Sequence, residues 1–450
     1  MTSVKQPATM VNAFDPARLG DLDAETRGMI ERRMRLLGPA YRLFYEQPLR
    51  VERGSGPFLY DQNGVEYLDA YNNVASVGHA NPRVAAAIAG QAARLATHTR
   101  YVQEPILRYA ESILPSFGGR LAEDGHIMFT CTGSEANDLA LRIAQHRTGR
   151  DGIIITSEAY HGNSQLTAGC SPSLGRRAPL GPWVRQVPTP DSYRLPRETM
   201  VPWFVEQVAR QIDDLERHGN GIAAFICDSI FSSDGIYDDP VGLLAPVADL
   251  VRSRGGVFIA DEVQAGFGRT GTAFWGYRRH GVDPDMVTMG KPMGNGFPVA
   301  AVAVRPDIIA GFGRDMRYFN TFGGNAVAIA AAQATLDVLR DDALSENAER
   351  VGNHIRAGFV RLRHRFPVIG DIRGAGLYVG VEMVTDPASR QPDGALAARI
   401  VNGLRDRHIL ISATGFHANT LKIRPPLVFT TENADRLLDQ TEALLDALAG

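Results

Sequence analysis

Four stretches of this 450-residue chain carry side chains that could do chemistry together. In Asp285-Met-Val-Thr-Met-Gly-Lys-Pro-Met-Gly-Asn-Gly, Lys291 follows an apolar run and stands among Gly290, Pro292, Gly294 and Gly296. Such a turn at a strand end can strip water from the amine and make it nucleophilic, although a tight turn with an exposed lysine reads the same way. Asp261 ends a second apolar run, Val257-Phe-Ile-Ala. That places a carboxylate at the carboxyl edge of a sheet, where open α/β sheets bind ligands; it could equally cap a turn. In Thr132-Gly-Ser-Glu-Ala-Asn a strand gives way to a helix. Glycine there lets an anion approach free N–H groups at the positive end of the helix dipole, though an ordinary strand-to-helix turn looks alike. Glu158-Ala-Tyr-His-Gly offers Tyr160 and His161 at the same edge, where either could be packing or capping.

The elements that must position these residues alternate. Short unbroken apolar strands are expected at 153–155, 222–227, 256–260 and 286–289, separated by helices at 202–218 and 241–254, with earlier helices at 82–96 and 105–114. Such strands between helices predict a mostly parallel sheet covered on both faces. Residues 1–46 read as an N-terminal arm with a short helix at 23–37, and Asn63-Gly64 marks a hairpin. An alanine-rich helix at 325–339 leads out of the large domain. Helices at 343–366 and 393–407, strands near 372–384, 409–412 and 421–424, and a last helix with Thr431 as its N-cap read as a smaller α+β domain. The expected division is 1–75 (arm and strands joining the small domain), 76–335 (large cofactor-binding domain) and 336–450 (small domain).

Composition narrows the function classes. Net charge is −3, with 44% hydrophobic and 22% charged residues, so nothing marks a partner as nucleic acid or an anionic membrane. Three scattered cysteines, Cys131, Cys170 and Cys227, suit neither a disulfide framework nor a metal cluster, and no metal is expected. The first ten residues hold no apolar core of signal-peptide length. A cytoplasmic enzyme is the expectation.

A phosphate cradle, a carboxylate, an aromatic ring and a desolvated lysine on successive strand ends match the needs of pyridoxal 5′-phosphate. The motifs resemble those of the class III aminotransferases, pyridoxal-phosphate enzymes of fold type I, over nearly the whole chain. The resemblance implies Gly133 and Ser134 at the cofactor phosphate, Tyr160 stacked on the ring and Asp261 on the pyridinium nitrogen. It further implies Gln264 near the ring oxygen, Lys291 as the Schiff-base lysine, and Thr321 reaching the phosphate across the interface of a homodimer. The spaced glycines of Gly266-Phe-Gly-Arg-Thr-Gly imitate a dinucleotide fingerprint, but no βαβ unit opens there.

Two positions depart from the aminotransferase pattern. The arginine that usually grips the substrate α-carboxylate lies three residues before a Pro-Pro pair; here that position, before Pro425-Pro426, is Lys422, with Arg424 two residues further on. Lysine lacks the bidentate fork of arginine. The glutamate that pairs with that arginine in many members is replaced by Ser233. A transaminase of unusual amines is one reading. Within the class, Asn72-Asn-Val-Ala-Ser-Val-Gly-His, Val187-Pro-Thr-Pro-Asp-Ser-Tyr-Arg, Gly370-Asp-Ile-Arg-Gly and Asn419-Thr-Leu-Lys-Ile-Arg-Pro-Pro are similar to the ethanolamine-phosphate phospho-lyases, and almost as similar to the lyases acting on 5-phosphohydroxylysine. That resemblance implies β-elimination of phosphate from a small phosphorylated amine. It also implies Asn72 and Asn73 in the substrate pocket and Arg100, Lys422 and Arg424 as candidates for the substrate phosphate; Arg100 could equally serve a surface salt bridge.

Overall fold

The computed structural model describes residue 10, residues 12–175 and residues 177–449; most of the stretch searched for a signal peptide lies outside the described residues. The N-terminal helix Ala24–Leu37 starts where the Asp23 carboxylate accepts from the N–H groups of Glu25 (3.1 Å) and Thr26 (2.9 Å). Three strands follow, β1 (Val51–Ser55), β2 (Phe58–Asp61) and β3 (Glu66–Asp69). The Asn63-Gly64 turn joins the last two, with Gly64 at φ 79° and Asp61 Oδ1 accepting from Asn63 N and Val65 N.

The central sheet is built from β4 (His126–Thr130), β5 (Gly152–Thr156), β6 (Val184–Val187), β7 (Ile222–Asp228), β8 (Val257–Asp261), β9 (Met286–Met289) and β10 (Ala300–Val304). Its order is β4-β10-β9-β8-β7-β5-β6. The run from β9 to β6 is parallel; β10 is antiparallel to both neighbours. An antiparallel partner can follow without a crossover helix, so the chain from β9 to β10 is a compact loop, and Lys291 sits at its start. Both faces are apolar. Ile154, Phe225, Phe258 and Val287 pack into one core, while Ile153, Ile155, Ile226, Ile259 and Val302 pack into another with Ala136, Leu139, Ala140 and Ile143 of the helix Gly133–Thr148. Apolar patterning alone marks neither β6 nor β10 as a strand: β10 is alanine-rich, and β6 is half polar.

The C-terminal region holds β11 (Ile369–Ala375), β12 (Tyr378–Met383), β13 (Ile409–Leu410), β14 (Ser412–Thr414) and β15 (Thr420–Ile423). Four of them form the antiparallel sheet β11-β12-β15-β14, and β13 leaves it to pair parallel with β3, tying the N-terminal strands to this region. Several expectations move. The helix expected at 82–96 stops at Ala92, the one expected from 241 starts at Leu244, and the single strand expected at 372–384 is the antiparallel pair β11 and β12, because the chain reverses at Gly376 (φ 53°). The helix expected from 202 begins at Arg197 and carries Pro202 inside it, because the buried stripe Met200, Phe204, Val208, Ile212 and Leu215 starts before the proline. The last helix, Thr431–Ala449, is capped by Thr430 and not by Thr431. Thr430 Oγ1 accepts from Asn433 N (3.3 Å) and Asn433 Oδ1 from Thr430 N (3.0 Å), a reciprocal pair that Thr431 is one residue too late to make.

Candidate active site

One pocket gathers the strand ends. Gly133, Ser134 and Asn137 reach it from the start of the helix Gly133–Thr148, Tyr160 and His161 from the loop after β5, and Asp228 from the end of β7. Asp261, Val263 and Gln264 come from the end of β8, and Lys291 from the turn after β9. The helix start is pressed against these turns: a Cβ on Gly133 would lie 3.0 Å from both methyl groups of Val263, and one on Gly290 would lie 3.3 Å from the Gly133 backbone. Thr132 caps the helix by accepting from Glu135 N (3.1 Å), whereas the N–H groups of Gly133 and Ser134 have no carbonyl one turn earlier to meet.

Asp261, 4% exposed, is held by three donors. Its Oδ2 accepts from His161 Nδ1 (2.7 Å) and Asn137 Nδ2 (2.8 Å), and its Oδ1 from Val263 N (3.1 Å). The carboxylate assigns the proton to Nδ1 of His161. Protein packs closely round Lys291, although part of it opens on the pocket. That burial pushes its amine down to about 8; the nearby Arg424 adds to the effect and Asp261 and Asp228 oppose it. Its Nζ lies 6.0 Å from the centroid of the Tyr160 ring.

These residues fit pyridoxal phosphate. The Gly133–Ser134 turn is a side-chain-free cradle for an anion at a helix start, and Tyr160 and Val263 give apolar surface for a flat ring. Asp261 is a fixed carboxylate suited to a protonated ring nitrogen, and Lys291 is an amine near neutrality suited to an aldehyde carbon. The buried Oδ1 of Asn137 and Nε2 of His161 have no partner among the described residues. The described residues contain no group of three or more side chains able to hold a metal ion, and no helix long and apolar enough to cross a membrane.

Beside this pocket lies a second set of groups, reached through Gln264. Gln264 Nε2 donates to Ser232 Oγ (2.7 Å), while its Oε1 accepts from the Tyr378 hydroxyl (3.0 Å) and from Arg424 Nη1. Ser232 Oγ donates in turn to Asp228. Arg424 lies with its guanidinium carbon 4.5 Å from the Tyr71 ring centroid. Lys422, 7% exposed, donates to the backbone carbonyl of Ser232 (3.2 Å). Burial holds its amine well below the usual lysine range; Arg424 and Lys291 push the same way and Asp228 opposes. The carbonyl of Ser233 accepts from Thr414 Oγ1 and Gly415 N, so its loop is pinned to the C-terminal sheet.

The remaining expected residues divide. Asn72 is turned to its own strand end, its Nδ2 donating to Asp69 Oδ2 (2.9 Å), where His79 Nε2 also sits at 2.7 Å. Asn73 is 1% exposed, and its Nδ2 lacks a partner among the described residues. Arg100 and Thr321 are not in the pocket of the single chain. Both are exposed, with Arg100 stacked 3.7 Å over the centroid of Phe319. The Gly266–Gly271 run is a docking turn: Gly268 and Gly271 abut Ser345 and Glu349, and buried Arg269 donates to the carbonyls of Leu377 and Pro425.

Sequence reading overlooked Asn137, Asp228, Ser232 and Tyr378. Two left a signal: Asn137 falls one turn after Gly133 on the same helix face, and Asp228 ends its strand in register with Asp261. Ser232 and Tyr378 left none, because their roles depend on the docking of the C-terminal sheet.

Comparison with known proteins adds the family. The family model described as Aminotransferase class-III matches residues 44–445. A Drosophila melanogaster protein named "Alanine--glyoxylate aminotransferase 2-like" is 39% identical over 424 residues, covering 91% of this chain and 85% of the relative. "Ethanolamine-phosphate phospho-lyase homolog 1" of Caenorhabditis elegans is 36% identical over 464 residues, 97% of this chain and 98% of the relative. A solved structure described as a phospholyase from Arthrobacter in complex with phosphoethanolamine superposes with a TM-score of 0.90 at 41% identity, over 93% of this chain and 99% of that one. The chain belongs to the class III aminotransferase family, with its fold type I architecture and with pyridoxal 5′-phosphate as cofactor.

Proposed function

We propose that this enzyme is a phospho-lyase that eliminates phosphate from O-phosphoethanolamine, consuming water and yielding acetaldehyde, ammonia and inorganic phosphate. The observation that carries this reading is the environment of Lys422. The position from which the family grips an α-carboxylate holds a buried amine on a backbone carbonyl, next to Arg424, and Ser233 stands where a pairing glutamate would be. A site with the Arg424 cation, a second basic group in Lys422 and no carboxylate on either suits a substrate that has no α-carboxylate and carries a dianion on the next carbon. The names of the nematode relative and of the Arthrobacter structure support the same substrate class.

Pyridoxal phosphate, when bound, supplies the electron sink that lets a C–H bond beside the amine break. Lys291, neutral above about pH 8, takes that proton, and its place at the start of the β9–β10 loop keeps it within the pocket. Asp261, fixed by His161 and Asn137, favours a protonated ring nitrogen. Lys422 and Arg424 receive the phosphate, which leaves from the adjacent carbon. Arg100 and Thr321 serve the site of a second copy in a homodimer; the exposed Tyr101 (64%), Val102 (99%) and Phe322 (69%) beside them supply apolar surface for that contact.

The test is incubation of the holoenzyme with O-phosphoethanolamine and no keto acid. Stoichiometric phosphate and ammonia are expected, and their absence sinks the reading. The alternative, an amine:2-oxo-acid aminotransferase, is favoured by the name of the Drosophila relative and requires amine transfer that depends on a keto acid. A parallel incubation with 5-phosphohydroxylysine separates the two lyase substrates by rate.

A further inference from the structure

A phosphate monoester has its second pKa near 6, so it enters the site as a dianion at neutral pH. If the carbon–oxygen bond breaks with its electron pair on oxygen, the group departs as a trianion unless a proton reaches that oxygen. The phospho-lyase reading, on which this step rests, therefore needs a proton donor beside the phosphate. Few groups qualify. Lys291 is assigned to the carbon proton. Arg424 stays charged at any working pH and cannot give up a proton. The Tyr378 hydroxyl donates to Gln264 Oε1 (3.0 Å), and burial pushes it up to about 12. Ser232 Oγ donates to Asp228, and the Asp228 carboxylate accepts from Ser232 and from Ile230 N (3.0 Å).

Lys422 remains. It is buried, its amine donates to the Ser232 carbonyl at 3.2 Å, and it lies 5.7 Å from the centroid of the Tyr378 ring. The titratable groups around it are Arg424 just past the end of its own strand, the Lys291 amine from the β9–β10 loop and Asp228 from the end of β7. A buried cation beside Arg424 is disfavoured there until an anion arrives.

We infer that Lys422 is the general acid of the elimination: held on the Ser232 carbonyl beside Arg424, it takes the proton that the substrate ammonium must lose before reacting and delivers it to the bridging oxygen as the carbon–oxygen bond breaks. Phosphate then leaves as the hydrogenphosphate dianion, the electron pair of the broken bond stays on its oxygen, and Lys422 returns to the neutral amine.

Two measurements on the holoenzyme and on Lys422→Arg, which keeps a cation but no transferable proton, decide the matter. Calorimetric titration with sulfate, a dianion that does not itself titrate near neutral pH, is run in two buffers of different ionisation enthalpy. The wild type is expected to take up close to one proton per site and the variant none; no sulfate binding, no uptake by the wild type, or equal uptake in both overturns the role. The second measurement compares leaving groups. Lys422→Arg is expected to lose about 100-fold or more in phosphate release from O-phosphoethanolamine, the scale of general acid catalysis. Chloride needs no proton to leave, so its release from 2-chloroethylamine should stay within about threefold of the wild type. Retained phosphate release, or equal losses on both substrates, overturns the inference while leaving the phospho-lyase reading intact. A wild type that releases no phosphate overturns both.

Discussion

The two sides of the active site are built on opposite electrostatic principles. On the cofactor side, Asp261 accepts three hydrogen bonds from the ends of elements fixed by the large sheet. On the substrate side, Lys422 and Arg424 come from the end of β15, lean on backbone carbonyl and amide oxygens, and have no carboxylate in hydrogen-bond contact among the described residues. The first side presents a fixed carboxylate to the pocket. The second carries buried positive charge that only an arriving anion neutralises, a costly arrangement unless binding offsets it. In the phospho-lyase reading, proton abstraction sits on the large sheet, and substrate choice sits where a second sheet docks against it.

Substitutions on the cofactor side should cost most. Lys291→Ala is expected to lower turnover by more than about 10⁴-fold, beyond the usual worth of a general base, and to abolish the lysine-linked absorbance of the bound cofactor. Unaltered turnover would remove Lys291 from the chemistry. Asp261→Asn keeps the shape but removes the charge facing the ring, and a loss of about 10²–10³-fold in kcat is expected, as for removal of one preorganised electrostatic group. A loss expressed in KM alone would place Asp261 among binding groups. Ser233→Glu attacks the other side by placing a carboxylate near Lys422. Phosphate release should fall by about 100-fold, mostly through KM, with the cofactor absorbance unchanged. An unaltered KM would mean that the missing carboxylate does not define the substrate side.

The same contrast explains how far the sequence could be read. Residues 257–260 and 286–289 are buried runs because their strands are covered on both faces, and each is followed closely by its edge residue. Lys291 and Asp261 were legible for that reason. The alanines of β10 fit strand or helix equally, and they form a strand only because a compact loop returns the chain beside β9. His161 was visible but could not be told from a capping residue, since its contact with Asp261 joins positions far apart in the chain. On the substrate side, Lys422 was legible as a departure from a pattern. The Ser232 carbonyl that holds it was not, because that contact forms only when the C-terminal sheet docks.

A pH experiment sharpens the cofactor side. With its amine pushed down to about 8, Lys291 is mostly protonated below that value and mostly neutral above it. Only the neutral amine attacks an aldehyde, so the rate at which apoenzyme captures pyridoxal phosphate should rise about tenfold per pH unit below 8 and level off above it. A rise continuing to pH 10 would show that burial does not shift this lysine.

The smallest effect is expected at Arg100, and it tests whether the substrate side extends beyond one chain. Arg100 is exposed, stacks on Phe319 and makes no ion pair among the described residues, so in a monomer its removal should change nothing. If a second copy brings it near the phosphate, Arg100→Ala loses a charge-assisted contact worth about 1.5 kcal/mol, or roughly tenfold in KM for O-phosphoethanolamine. Inhibition by unphosphorylated ethanolamine should hold steady, because that ligand has no anion for the arginine to meet. Equal losses for the two ligands would exclude Arg100 from the site. A tenfold loss confined to the phosphorylated one would make the cation-rich side a property of the dimer, while the cofactor side remains the work of a single chain's sheet.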